Sequence, residues 1–317
     1  MKAFFCDVCG NRLYFENSRC LSCQTPQGFE PDTRRLTAIT GEVAVRRCGN
    51  ARLAECNWLL AAEDPDELCL SCALTLERPN DNDAEGIAEF AVTERAKRRL
   101  IYGLLYLGLP VNDNISFKLL SSSKEAVVTG HDDGEVTIDL AESDDAKREA
   151  RRQSMDEPYR TLLGHFRHEI GHYYQDVVVQ DDWDACRALF GDERADYQAA
   201  LDRHYAKGAP ADWGQRHVSA YATMHPWEDW AETFAHYLHI RDTLETAENF
   251  GLSPAPETDT IESIIEAWLP LTYALNQVNR SMGLADLYPF TLRAKVVEKL
   301  GYVHERIAAT VTRTAAP

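Results

Sequence analysis

The sequence predicts an α+β fold: a cysteine-rich N-terminal module, then a mainly helical body carrying a small sheet. Three observations predict it. Eight of the nine cysteines fall between residues 6 and 72. Residues 115–120, 126–129 and 135–140 read as short strands, with Gly130-His-Asp-Asp-Gly134 as the turn between the last two. From about residue 144 onward, the chain reads as helices joined by loops.

Composition supports a real core. The chain has 317 residues, 44% of them hydrophobic and 26% charged, which excludes disordered and low-complexity classes. The longest apolar run, residues 100–111, is ended by a proline and is well short of the ~20 residues a spanning helix needs. The start, MKAFFCDVCG, lacks the pattern of a secretory signal, so the expected compartment is the cytoplasm. The net charge of −18 argues against a nucleic-acid scaffold, which depends on clustered Lys and Arg.

The cysteines organise the N-terminus. Cys6-Asp7-Val8-Cys9 and Cys20-Leu21-Ser22-Cys23 are two CxxC pairs. Each can form a knuckle that aims two sulfurs at one ion, and Gly10 permits the close turn after the first. Two knuckles brought together by a hairpin supply a tetrahedral four-cysteine zinc site. A disulfide framework is the competing reading, and a cytoplasmic setting opposes it. Cys48, Cys56, Cys69 and Cys72 are expected to form a second four-cysteine site, although only Cys69-Leu70-Ser71-Cys72 has the standard spacing. Cys48 and Cys56 could instead be small buried hydrophobes, and the two sites could interleave. Cys186 reads as core. Residues 1–80 hold nine basic and eleven acidic residues. Each zinc held by four thiolates adds about two negative charges. The module therefore reads as structural or protein-docking, with DNA binding a lesser alternative.

Residues 78–86 are polar and read as a linker. Residues 91–108 have helical periodicity, with Leu100, Leu104 and Leu107 on one side and Arg95, Lys97, Arg98 and Arg99 mostly elsewhere.

Residues 161–174 contain His168-Glu169-Ile170-Gly171-His172. On a helix, residues four apart share a face, so two imidazoles can grip one Zn²⁺ while Glu169 reaches a zinc-bound water. Leu162, Leu163, Phe166 and Ile170 make the segment helix-compatible. The bland alternative is a helix with satisfied surface histidines. A catalytic zinc needs a third protein ligand and an open position. Downstream lies His225-Pro-Trp-Glu228-Asp-Trp-Ala-Glu232-Thr-Phe-Ala-His236, where Pro226 suits a helix start. Glu228 and Glu232 are then neighbours on one face. Glu228 is expected to bind the metal, and Glu232 to accept a hydrogen bond from His168 and fix its tautomer. The reverse assignment stays open, and His225 and His236 compete as ligands. His165, one turn before Glu169, reads as packing or as support for the site.

These motifs resemble a bacterial family of zinc-binding metallopeptidases with an N-terminal zinc-ribbon domain. Cys56-Asn-Trp58, residues 96–100, 129–134 and 159–173, and His225 to Glu232 also carry the resemblance. HExxH with a distal Glu looks like the gluzincin branch of the zincins. The resemblance implies a zinc-ribbon module over residues 1–78 and a zincin-like domain over residues 88–317. It implies a peptide or protein substrate, one catalytic zinc, and one or two structural zincs. Glu169 would be the general base. Some gluzincins place a transition-state Tyr just ahead of the ligand helix, which points to Tyr221, with Tyr173, Tyr174 and His217 as alternatives. Competing functions are an inactive zinc-binding module that docks a protein partner, a DNA-linked factor and a non-peptidase zinc hydrolase.

Overall fold

The computed structural model describes residues 1–41, 44–123, 126–154 and 161–314. The described chain forms two compact units. The first holds Met1–Tyr106, Val111–Ser154 and Thr161–Leu163; the second holds Leu107–Pro110 and the chain from Gly164 onward.

In the first unit, short antiparallel pairs carry the cysteines. β1 (Phe4–Phe5) pairs with β2 (Arg12–Leu13), and β3 (Gln27–Glu30) with β4 (Arg35–Ala38). β5 (Val45–Arg47) pairs with β6 (Leu59–Ala61). A one-turn helix, α1 (Leu70–Ala73), follows Cys69. Such short strands bury little, and aromatic packing supplies the core. Phe15 and Phe29 meet edge-on at 4.9 Å, Phe29 lies 4.9 Å from Trp58, and Phe15 lies 5.2 Å from Tyr102.

Tyr102 sits on α2 (Ala84–Tyr106), which starts earlier than the sequence predicts. Asp83 is its N-cap, with a carboxylate that accepts from Gly86 N at 2.9 Å. The polar run read as linker therefore already holds a helix start. Lys97 and Arg98, expected away from the apolar side, are 0% and 3% exposed. Lys97 Nζ pairs with Glu94 at 2.6 Å, and Arg98 Nη2 donates to Ala54 O at 3.1 Å.

The small sheet runs β7 (Thr75–Glu77), β8 (Ser116–Leu120), β10 (Glu135–Asp139), β9 (Gly130–Asp132). β8 is parallel to both β7 and β10, while β9 is antiparallel to β10. Residues 126–129, expected as a strand, have no regular structure; the strand lies at Gly130–Asp132 instead. The turn is tighter than the sequence suggests. Asp133 and Gly134 have φ of 44° and 87°, so two left-handed residues reverse the chain and pairing runs up to Asp132. α3 (Asp145–Ser154) follows.

The second unit is helical: α4 (Leu162–Val179, whose first turn belongs to the first unit), α5 (Trp183–Phe190), α6 (Tyr197–Lys207), α7 (Pro226–Asn249), α8 (Ile261–Ser281) and α9 (Ala294–Thr314). Phe166, Ile170, Tyr174 and Val178 recur every four residues along α4 and are all fully buried. α7 buries Trp230, Phe234 and Tyr237. Trp230 Nε1 donates to Gly171 O at 2.9 Å, which ties α7 to α4. Cys186 on α5 is buried, and burial pushes its thiol up to about 11. Among the described residues, no helix is long and apolar enough to cross a membrane.

Candidate metal centres

The eight N-terminal cysteines gather in two groups that follow chain order. Cys6, Cys9, Cys20 and Cys23 form one, and Cys48, Cys56, Cys69 and Cys72 the other; within each group the sulfurs lie within 4.8 Å of one another. The first group rests on two similar backbone turns. Gly10 N donates to Cys6 O at 2.8 Å, and Gln24 N donates to Cys20 O at 2.9 Å. Gly10 and Gln24 both take the left-handed conformation, with φ of 71° and 62°. The second group is assembled from separate segments. Cys48 N donates to Trp58 O at 3.1 Å, and Cys69 N donates to Cys48 Sγ at 3.3 Å.

The sulfur spacings fit zinc. Zinc–sulfur bonds of about 2.3 Å put tetrahedral ligands about 3.8 Å apart. Cys6–Cys23 and Cys9–Cys20 stand at 3.6 Å, and Cys56–Cys69 at 3.7 Å. A disulfide holds its sulfurs at about 2.05 Å, and all nine cysteines are free.

The third group is His168, His172 and Glu228, whose ligand atoms also lie within 4.8 Å of one another. α4 puts both imidazoles on one face. α7 brings the carboxylate, and its start is fixed by His225, whose Nδ1 accepts from Trp227 N at 3.1 Å, and by Pro226. Glu228 Oε2 lies 2.9 Å from His168 Nε2 and 3.7 Å from His172 Nε2. Nitrogen and oxygen ligands about 2.05 Å from zinc stand about 3.3 Å apart, and the two distances bracket that value. Glu228 Oε2 is buried and faces only the two imidazole Nε2 atoms, an acceptor placed for a cation.

The surrounding side chains orient this group. Glu232 Oε1 lies 2.8 Å from His168 Nδ1. Burial opposes charge on His168, yet hydrogen bonds to Glu228 and Glu232 outweigh it and hold its pKa well above the usual histidine value. The site attracts positive charge, as a metal site must. Burial raises Glu232, but the hydrogen bond to His168 prevails and brings it down to about 2. Glu169 is buried too. Burial opposes its ionisation, and the hydrogen bond from His165 together with the nearby imidazoles more than offsets this, so its pKa is lowered. His165 Nε2 stands 3.0 Å from Glu169 Oε1. Two tyrosines complete the surroundings. Tyr197 OH donates to Glu228 Oε1 at 2.9 Å, and the Tyr221 ring lies 5.9 Å from that of His168. Burial raises both phenols, so both stay protonated donors.

Residues 86–306 match the family described as "Putative zinc-binding metallo-peptidase", and residues 3–83 match a zinc-ribbon domain. The chain belongs to this bacterial metallopeptidase family, with its N-terminal zinc ribbon. Uncharacterized proteins from Mycobacterium bovis and from two strains of Mycobacterium tuberculosis are 52% identical to it over 322 residues, covering 96% of this chain and 94% of theirs. No solved structure matches.

Within this family member, the three donor clusters match one catalytic-type and two structural zinc sites. His225 caps α7 through Nδ1, and its Nε2 contacts Ala195 O at 3.0 Å. His236 Nδ1 lies 2.6 Å from Tyr288 OH. Tyr174 OH donates to Pro110 O, and His217 Nε2 lies 3.6 Å from Asp229. None of these four belongs to the His168, His172, Glu228 group. Tyr159 and Arg160, part of the matched 159–173 stretch, lie outside the described residues. Two residues at the site carry no sequence signal of their own. Tyr197 opens α6, 31 residues before Glu228. Trp227 lies within the HPWED run, and its ring centre is 4.0 Å from that of His172, with the rings tilted by 44°.

Proposed function

We propose that the protein is a zinc-dependent peptidase of the gluzincin type, acting on a peptide or protein substrate in the cytoplasm. One observation carries the reading: a single buried carboxylate oxygen, Glu228 Oε2, faces the Nε2 atoms of both HExxH histidines, with Glu169 on the same helix and a hydrogen bond from His165. His168, His172 and Glu228 would hold a zinc, which would supply a Lewis acid to acidify water and polarise a carbonyl.

This chain's residues do the rest. Glu169 is ionised at neutral pH, so it takes the proton from the attacking water and returns it to the leaving amine. His165 holds that carboxylate in place. Glu232 accepts a hydrogen bond from the Nδ1–H of His168 and leaves Nε2 as the free ligand atom. Tyr197 orients the Glu228 carboxylate. Tyr221, kept protonated, donates to the oxygen of the substrate carbonyl as charge develops there. Residues 88–317 carry this chemistry. Residues 1–78, with two zincs each held by four cysteines, serve as a docking module for a protein.

The test is a denatured-proteome peptide library digested with wild type and Glu169→Gln, with zinc content measured on both. Wild type should yield new N-termini, and Glu169→Gln should lower the rate by about 10² to 10⁴ with zinc retained. Equal cleavage by both proteins removes Glu169 as the base. No cleavage by zinc-loaded wild type leaves a zinc-binding docking protein.

A further inference from the structure

The first unit contains a cleft of about 810 Å³, with Cys56 of the second cysteine group in its wall. Five guanidinium groups line it: Arg19, Arg47, Arg52, Arg95 and Arg98. They come from separate parts of the fold. Arg19 flanks the second knuckle, Arg47 lies on β5, Arg52 follows the short turn at Gly49–Ala51, and Arg95 and Arg98 project from α2. Two carboxylates, Glu16 and Glu55, share the wall with Cys56; five positive against two negative side chains leave +3, and the charge of about −2 that zinc gives the Cys56 group leaves the wall at about +1, still positive in a chain whose total is −18.

The charges are only partly used within the unit. Arg95 pairs with Glu55 at 2.6 Å. Arg19 and Arg47 each donate to a single backbone carbonyl, those of Gln24 and Ser18. Among the described residues, no carboxylate pairs with Arg19, Arg47 or Arg52. Arg98 is 3% exposed; its Nη2 donates to Ala54 O and its Nη1 stands 3.8 Å from Glu94, so it adds positive charge to the wall from within the fold.

We propose that this cleft binds a phosphoryl-bearing small molecule, at a site separate from the His168, His172, Glu228 group. The volume lies within the range of small-molecule sites. The cations are all arginine, whose planar fork suits phosphate oxygens better than the point charge of lysine. They converge from several directions, which matches the tetrahedral oxygens of a phosphoryl group and not the plane of one carboxylate. The lining includes no aromatic ring on which a base could stack. The phosphoryl groups therefore supply the affinity, whether they arrive as a free polyphosphate or on a nucleotide.

The test is calorimetric titration of the zinc-loaded full chain with inorganic pyrophosphate, ADP and citrate at fixed ionic strength. One saturable pyrophosphate site is expected, with affinity reduced tenfold or more in Arg47→Ala/Arg52→Ala. These two side chains lie outside the core, so the fold and both structural zincs should persist, as elemental analysis will show. Binding should be unchanged in His172→Ala, which separates the cleft from the zinc of the second unit. ADP as tight as pyrophosphate assigns the phosphoryl groups to a nucleotide; ADP tenfold weaker assigns them to a free polyphosphate. No saturable binding below about 1 mM, equal affinity in the double arginine variant, or loss of binding in His172→Ala overturns the proposal. Citrate binding as tightly as pyrophosphate overturns the phosphoryl assignment.

Discussion

Gly171 lies inside the HExxH segment, where α4 packs directly against the α7 backbone. A Cβ there would stand 3.2 Å from both Ala231 Cα and Ala231 O, and 3.4 Å from Phe234 Cδ1. Two of those atoms are α7 backbone, so no rotamer change relieves the contact, and α7 must retreat by a few tenths of an ångström. Gly171→Ala gains about 1 kcal/mol in helix propensity and loses about 1–3 kcal/mol to overpacking. The net destabilisation is about 0–2 kcal/mol, or a few degrees in Tm. The effect on the metal should be larger. Glu228 sits one turn before Ala231 on the same helix, and its Oε2 is already 3.7 Å from His172 Nε2. Moving α7 outward widens that gap. We expect zinc affinity at this site to fall tenfold or more, while both cysteine-bound zincs remain. Competition against a chromophoric chelator, elemental analysis and a thermal melt measure this together. A Gly171→Ala protein that melts higher and holds three zincs with unchanged affinity refutes the idea that this contact sets the ligand spacing.

Two further outcomes follow from the same geometry. Glu232→Ala removes the acceptor at His168 Nδ1, 2.8 Å away, and should weaken zinc at the His168, His172, Glu228 site by about 10–100-fold, read by the same chelator competition; unchanged affinity means the tautomer is fixed by something else. His236 is buried, and burial lowers its pKa to about 4, against about 6.5 in the unfolded chain. The unfolded chain therefore takes up a proton first as pH falls, so stability is lost between about pH 6.5 and 4, by up to about 3 kcal/mol from this group. His236→Gln keeps a partner for Tyr288 without titrating, and should lose less stability than wild type between pH 7 and 5 in urea titrations. Equal losses contradict the assignment.

How much of this is legible in the sequence varies with how local each signal is. The four-residue spacing of Phe166, Ile170, Tyr174 and Val178 announces α4, and the same spacing puts His168 and His172 on one face. The knuckles are equally local, since CxxC and the turn after it fix the geometry within a few residues. Pro226 marks the start of α7, and from there Glu228 and Glu232 follow by counting. Tyr197 is beyond reach because only the packing of α6 brings its hydroxyl to Glu228. β7 spans three residues, Thr75–Glu77, too few for alternation to register. β9 lies off its expected position because the two left-handed residues, Asp133 and Gly134, do the work of the five-residue turn expected there. Burial of Lys97 and Arg98 on α2 contradicts the rule that charged residues mark the solvent face, and the reason lies in their partners and not in their spacing.

Those partners also bear on where the ribbon ends as a folding unit. Cys48, Cys56, Cys69 and Cys72 are all buried, and with zinc they carry about two uncompensated negative charges. The hydrogen bond with Cys48 acts most strongly on the Cys56 thiol and raises its pKa, those with Cys69 and Cys72 lower it, and the Arg98 charge adds a smaller lowering; Cys72 Sγ lies 3.8 Å from Glu94, which Lys97 holds. α2 also completes the aromatic core. Tyr102 is fully buried against Phe15 and Phe29, and Lys2 N donates to its hydroxyl at 3.3 Å. A fragment ending at residue 78 lacks all of this and uncovers two large rings, Phe15 and Phe29. Burial of one such ring is worth about 1.5–3 kcal/mol, a large share of the stability of a module this small. The 1–78 fragment should hold its first zinc, whose knuckles are local, and lose the second, whose cysteines come from separate segments. A fragment of residues 1–106 should hold both. Elemental analysis after gel filtration decides between them: two zincs on 1–78, with dispersed amide resonances, would show that the ribbon stands without α2 and that the buried cations do not support the second site.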